Sequence, residues 1–149
     1  MFRKIFRPGC RLFAAGSILM LLTAAAHTVG HFSPIPENDT ALKSVIEAMT
    51  GYTLDLGMGM RPSLMAVQLS LSLTMTILLI FLAVQNLATL YWAGDSVRLV
   101  RGLTGINLLC SAALTALYGY YRIPPPLICF ALISLVFLLS LALPDKRKA

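Results

Sequence analysis

Four apolar blocks, each long enough to cross a bilayer, constrain this chain more than any other feature. They run from about Leu12 to Val29, Leu64 to Trp92, Leu99 to Tyr121 and Leu127 to Leu143. A run of about 18 or more apolar residues reads as a span, because a helix rising about 1.5 Å per residue then covers a hydrocarbon core near 30 Å. The third block carries no charge between Arg101 and Arg122, and the fourth only just reaches the needed length. Backbone groups find no water in lipid, so each span is expected to be helical. Composition agrees, since 58% of the 149 residues are hydrophobic and 12% charged, too few charges to cover a soluble domain. The expected fold is all-α, a four-transmembrane-helix bundle forming a single integral membrane domain over residues 1–149, with an outer loop at 31–63.

Lysine and arginine set the expected orientation. With the N-terminus inside, the cytoplasmic side holds Arg3, Lys4, Arg7, Arg11, Arg98, Arg101, Lys146, Arg147 and Lys148, and the outer side Lys43, Arg61 and Arg122. This positive-inside bias places both termini in the cytoplasm of a multi-pass protein, expected in a bacterial inner (plasma) membrane. Tyr91 and Trp92 close the second span and Tyr118, Tyr120 and Tyr121 the third, as amphipathic rings do at headgroup level. Met1 to Ala26 also reads as a secretory signal peptide, with Ala24-Ala25-Ala26 as a cleavage site. Cleavage would satisfy the charge bias equally. Retention is favoured because Gly16, Met20, Thr23, His27 and Gly30 continue one helical packing stripe past the cut.

Pro34 and Pro36 end the first span. Asn38-Asp39-Thr40 then offers capping side chains and Gly51 a stop. Between them Leu42, Val45, Ile46 and Met49 recur at i, i+3, i+4 and i+7, which predicts a short amphipathic helix on the outer surface. Gly57-Met58-Gly59-Met60-Arg61-Pro62 is expected to lead flexibly into the second span.

Net charge is +6, but the basic residues flank apolar blocks rather than forming a face, which excludes nucleic acid as a partner. Membrane lipids are the expected partners, together with a homo-oligomer or a larger membrane complex. Cys10, Cys110 and Cys129 form no CxxC pair and read as packing residues, with Cys10 an acylation candidate. Polar residues inside the spans fall in stripes. Gln68, Ser72, Thr76, Ala83 and Asn86 share an arc of the second span; Asn107, Ser111, Leu114, Tyr118 and Tyr121 share one on the third, with Thr104 and Thr115 beside it. The fourth span, with only Ser134, Ser140 and Cys129, reads as a lipid-facing wall. Asn86 and Asn107 are expected to meet at the cytoplasmic level. His27, His31, Gln68, Tyr118 and Tyr121 are expected to converge at the outer level, with Glu37, Asp39, Glu47 and Asp55 nearby.

The bland alternative is that amides and hydroxyls simply hold helices together by hydrogen bonds. His27 and His31 carry more chemistry, since an ionisable group in a span is costly and four-residue spacing puts both imidazoles on one face, able to bind one metal. Glu47 or Asp55 are candidates to complete such a site, and Met58, Met60 and Met65 would suit Cu(I). With two histidines in the chain, a di-iron hydroxylase and a bis-histidine haem are nearly excluded. No cofactor is required by the sequence, and its identity, like any catalytic residue, is left unknown.

The stretch His27-Thr28-Val29-Gly30-His31 resembles the H-T-x-G-H at the end of the first span in small uncharacterised bacterial four-helix membrane proteins. The resemblance covers these five residues and the layout of four short-looped spans, and implies that His27, Gly30 and His31 matter. Three functions are expected in order. The first is binding of a lipid-like or small apolar ligand in the outer-leaflet half of the bundle, at His27, His31, Gln68, Tyr118 and Tyr121. The second is a small membrane enzyme or metal/redox protein centred on His27 and His31, with Tyr118 or Gln68 as helpers. The third is a structural subunit of a larger membrane complex.

Overall fold

The computed structural model describes residues 8–34, 36 and 38–143. Arg3, Lys4, Arg7, Glu37, Lys146, Arg147 and Lys148 lie outside the described residues. Five helices follow in order, α1 Pro8–Phe32, α2 Thr40–Gly51, α3 Leu64–Ala93, α4 Val97–Tyr120 and α5 Pro124–Ala142. Four of them, all but α2, are long and apolar enough to cross a membrane. They match the four apolar blocks, and the chain is an all-helical membrane protein.

The chain divides into two compact units, one drawn from Met1–Thr23 and Leu79–Ala149, the other Ala24–Leu78. The first unit is itself a four-helix bundle. Each helix turns one stripe at three- and four-residue spacing inward. The stripes are Phe13, Gly16, Ser17 and Met20 on α1; Leu79, Ala83, Asn86 and Leu90 on α3; Val100, Thr104, Asn107 and Ser111 on α4; and Phe130, Ile133, Phe137 and Ser140 on α5. The large apolar side chains face outward, with Phe81, Ile106 and Leu109 all well over half exposed. The interior mixes large apolar side chains such as Phe13, Ile133 and Phe137 with small and polar ones such as Ser17, Ala83, Asn86 and Asn107. The outward face is almost wholly apolar, as lipid tails that solvate leucine as well as a neighbouring helix does allow.

The fourth span is not a lipid-facing wall. Phe137 is fully buried and tilts against Phe13 with ring centroids 6.0 Å apart. A Cβ on Gly16 would lie 2.7 Å from the Phe137 ring, so only glycine lets α1 approach α5 this closely. Ser140 Oγ donates to the Gly9 carbonyl at 2.8 Å, and Arg101 Nη2 donates to the Leu141 carbonyl at 3.1 Å. That cation sits at the negative end of the α5 dipole.

Links within this unit are short. Residues 94–96 join α3 to α4; a Cβ on Gly94 would stand 2.4 Å from the Leu90 carbonyl oxygen, which explains the glycine. Ser96 caps α4 by accepting from the Leu99 N–H. Residues 121–123 join α4 to α5 through a Schellman motif, in which Ile123 N–H reaches the Tyr118 carbonyl and Arg122 N–H the Gly119 carbonyl. Arg122 takes the left-handed position at φ 54°, where glycine is usual. Three prolines then open α5, in the first turn where a missing N–H costs nothing.

The second unit holds the C-terminal part of α1, α2 and the N-terminal part of α3. Helix α2 forms as the pattern predicts: the Asp39 carboxylate accepts from the Leu42 N–H at 2.8 Å. Leu42 and Val45 are exposed, and Ile46 and Met49 half-buried. The lead into α3 differs from the flexible segment expected. Leu64 N–H reaches the Tyr52 carbonyl, Leu54 N–H the Pro62 carbonyl and Leu56 N–H the Met60 carbonyl, closing a hairpin. Its tip is a type I′ turn, with Met58 at φ 52° and Gly59 at φ 78° between the bonded Gly57 and Met60. Asp55 ties the hairpin, accepting from the Gly57 N–H and facing Arg61 at 3.4 Å.

Candidate functional site

The second unit brings three polar side chains to one point. His27 and His31 stand one turn apart on α1, so their imidazoles share a face, with ring centroids 5.2 Å apart at 72°. Both Nε2 atoms reach the hydroxyl of Ser72 on α3, His27 at 2.7 Å and His31 in closer contact. A serine hydroxyl has one proton to give and lone pairs to receive with. It therefore satisfies both neutral rings when one donates to it and the other accepts from it.

The packing stripe read from spacing places His27 inward, and the structure has His31 more buried than His27 instead. His31 is half-buried and His27 exposed. The inward stripe of α1 runs Phe13, Ser17, Met20 and Ala24, then on to the half-buried Thr28 and His31, passing beside His27. Gly30 is exposed, and a Cβ there would meet nothing within 4 Å. Gln68, one turn before Ser72, is exposed. Thr76, one turn after it, is buried, and its Oγ1 is the one buried side-chain oxygen without a hydrogen-bond partner among the described residues. Among the described residues no cluster of three or more His, Cys, Asp or Glu side chains forms. Asp55, considered as a ligand, faces Arg61 instead.

Tyr118 and Tyr121 belong to the four-helix unit. Tyr118 is half-buried and stacks on Phe130, centroids 5.7 Å apart at 6°. Tyr121 is exposed, edge-on to Tyr120.

The four-helix unit contains a cavity of about 210 Å³. Met20, Leu79, Leu103, Leu114, Phe130 and Ile133 make most of its wall, and Gln85, Asn86, Asn107 and Ser111 supply its polar groups. None of His27, His31, Gln68, Tyr118 and Tyr121 lines it. Asn86 and Asn107 do meet, as their spacing predicts. Each Nδ2 donates to the other's Oδ1, at 3.2 and 3.1 Å. The second N–H of Asn107 goes to the Leu103 carbonyl at 2.8 Å, and Asn86 Nδ2 also faces the Met20 sulfur at 3.9 Å. Most hydroxyls in the spans do something humbler. Ser17, Thr104 and Thr115 donate to carbonyls of their own helix, satisfying themselves without tying helices together, and Ser134 is likewise placed against the Phe130 carbonyl. Ser134 also reaches Ser111 across α4 and α5 at 2.9 Å.

Four apolar helices around a partly polar interior define a small multi-pass integral membrane protein. No family model, curated protein or solved structure matches the chain.

Proposed function

We propose that this protein holds a lipid-like ligand, an apolar chain ending in a hydroxyl, in the cavity of its four-helix unit. The cavity beside the paired asparagines carries the reading. At interior packing density its volume takes roughly six to eight methylenes of an acyl or isoprenoid chain. Hydrogen-bond bookkeeping sets the head group. Both amide nitrogens of the pair are engaged, whereas each Oδ1 accepts one bond and keeps a lone pair. The pair therefore has acceptors left over, which suit an alcohol. A fatty-acid carboxylate brings further acceptors and a charge that is costly in a span.

Cys110 lines the same cavity and is exposed, which gives a direct assay. In mild detergent, a long-chain alcohol should slow alkylation of Cys110, followed by mass spectrometry, at least tenfold better than the acid of equal length. Equal protection by both, or by neither, would overturn the reading. The lysine and arginine distribution supports a plasma-membrane protein with both termini cytoplasmic. Reporter fusions after Ala93 and at the C-terminus should read cytoplasmic and one at Thr53 external; the reverse would refute that orientation.

A further inference from the structure

The cluster at Ser72 shares no residue with the lining of the cavity, and its geometry points to a second kind of ligand. Two imidazoles held one helical turn apart turn the same ring atom, Nε2, toward a single point, marked by the Ser72 hydroxyl. Hydrogen bonding to one serine does not require two histidines, since a single ring already uses the hydroxyl proton. Two convergent Nε2 lone pairs are instead half of a tetrahedral nitrogen-ligand set, with metal–nitrogen distances near 2.0–2.1 Å. The i, i+4 spacing lets both rings take adjacent positions on one ion without distorting α1.

We propose that His27 and His31 bind a borderline transition-metal ion of the Zn²⁺ class through their Nε2 atoms, at the point where both now meet Ser72. Neutral imidazoles select such ions over Mg²⁺ and Ca²⁺, which take oxygen ligands. Binding needs both Nε2 atoms deprotonated, so the ring that donates to Ser72 shifts its proton to Nδ1. The freed hydroxyl then hydrogen-bonds a water on the metal. His27 lies near the end of α1 and its ring is not covered by other side chains of the protein. Two protein ligands leave positions for water or an external donor, so the ion exchanges rather than being locked in as a structural metal.

The chain has only these two histidines, so each is observable directly. Protein purified without a histidine tag and stripped with chelator should bind one Zn²⁺ per chain, with no response to Mg²⁺. In nitrogen-15 NMR of labelled histidine, both Nε2 resonances should move on Zn²⁺ addition, and both Nδ1 atoms should carry the proton in the Zn²⁺-bound state. Both His27→Gln and His31→Gln, which keep a hydrogen-bonding group toward Ser72, should each weaken Zn²⁺ binding at least tenfold. Unmoved Nε2 resonances at saturating Zn²⁺ would overturn the proposal regardless of how the variants fold. So would glutamine variants that bind as tightly as the parent.

Discussion

Replacing Asn86 and Asn107 by leucine, singly and together, measures what the amide pair contributes to the four-helix unit. Each single change leaves the partner's carbonyl and one N–H facing an apolar wall, a penalty of about 1–3 kcal/mol. The double change removes both groups and leaves nothing stranded. The coupling energy is the difference between the sum of the singles and the double. The Asn107 bond to the Leu103 carbonyl lies within α4 and cancels from the cycle. What remains is two mutual bonds. At about 0.6 kcal/mol for an average interhelical bond in a membrane, and up to about 1.7, the coupling should fall near 1.2 and below about 3.4 kcal/mol. Reversible unfolding in mixed detergent micelles, followed by circular dichroism, gives the four free energies. Additivity within about 0.3 kcal/mol would show that the two side chains do not share these bonds.

Three further outcomes follow from local geometry. Gly16→Ala should destabilise the four-helix unit by about 1–3 kcal/mol, since its Cβ meets the Phe137 ring, and Phe137→Leu in the same chain should recover part of the loss in the same unfolding assay. Arg122→Gly should stabilise by roughly 1 kcal/mol by relieving a left-handed position in a side-chain-bearing residue; an unchanged or lower midpoint would mean the arginine side chain contributes there. Asp39→Ala should cost α2 about 1 kcal/mol, read as faster amide exchange of Leu42 and Lys43 with the spans unaffected, and unchanged exchange would remove the cap from the account.

The elements legible in the sequence are those in which polarity contrasts with its surroundings. Charge-free length defined α1, α3, α4 and α5, and an alternation of apolar and polar residues behind Asp39 defined α2. Asn86 and Asn107 stood out because an amide in an apolar run needs a partner. The inward face of α5 was illegible for the opposite reason. Phe130, Ile133 and Phe137 are as apolar as the residues facing lipid, so burial leaves no mark on their chemistry. His27 and His31 point only about 40° apart around the helix, so their order turned on a modest rotation, which small residues such as Ala24 and Ala25 do not fix. Ser72 was placed on the right stripe, but its role as the meeting point of two rings depends on the separation of α1 and α3 there. The cavity was hidden too, because it depends on how side chains from four helices fill space, not on any one helix.

The two three-residue links at 94–96 and 121–123 give α3, α4 and α5 almost no freedom to part company. Helix α1 is held differently, with residues 33–63 and all of α2 lying between it and α3. For the three tethered helices, assembly is a folding problem; for α1 it is closer to a binding problem, with the long connection setting an effective concentration. Its docking face is already specified by a glycine that admits a phenylalanine ring and a carbonyl that receives the Ser140 hydroxyl. A chain severed at the Met58-Gly59 turn should therefore reassemble in a bilayer from its two pieces, whereas severing either short link would free helices whose inward stripes have never had to find each other at a distance.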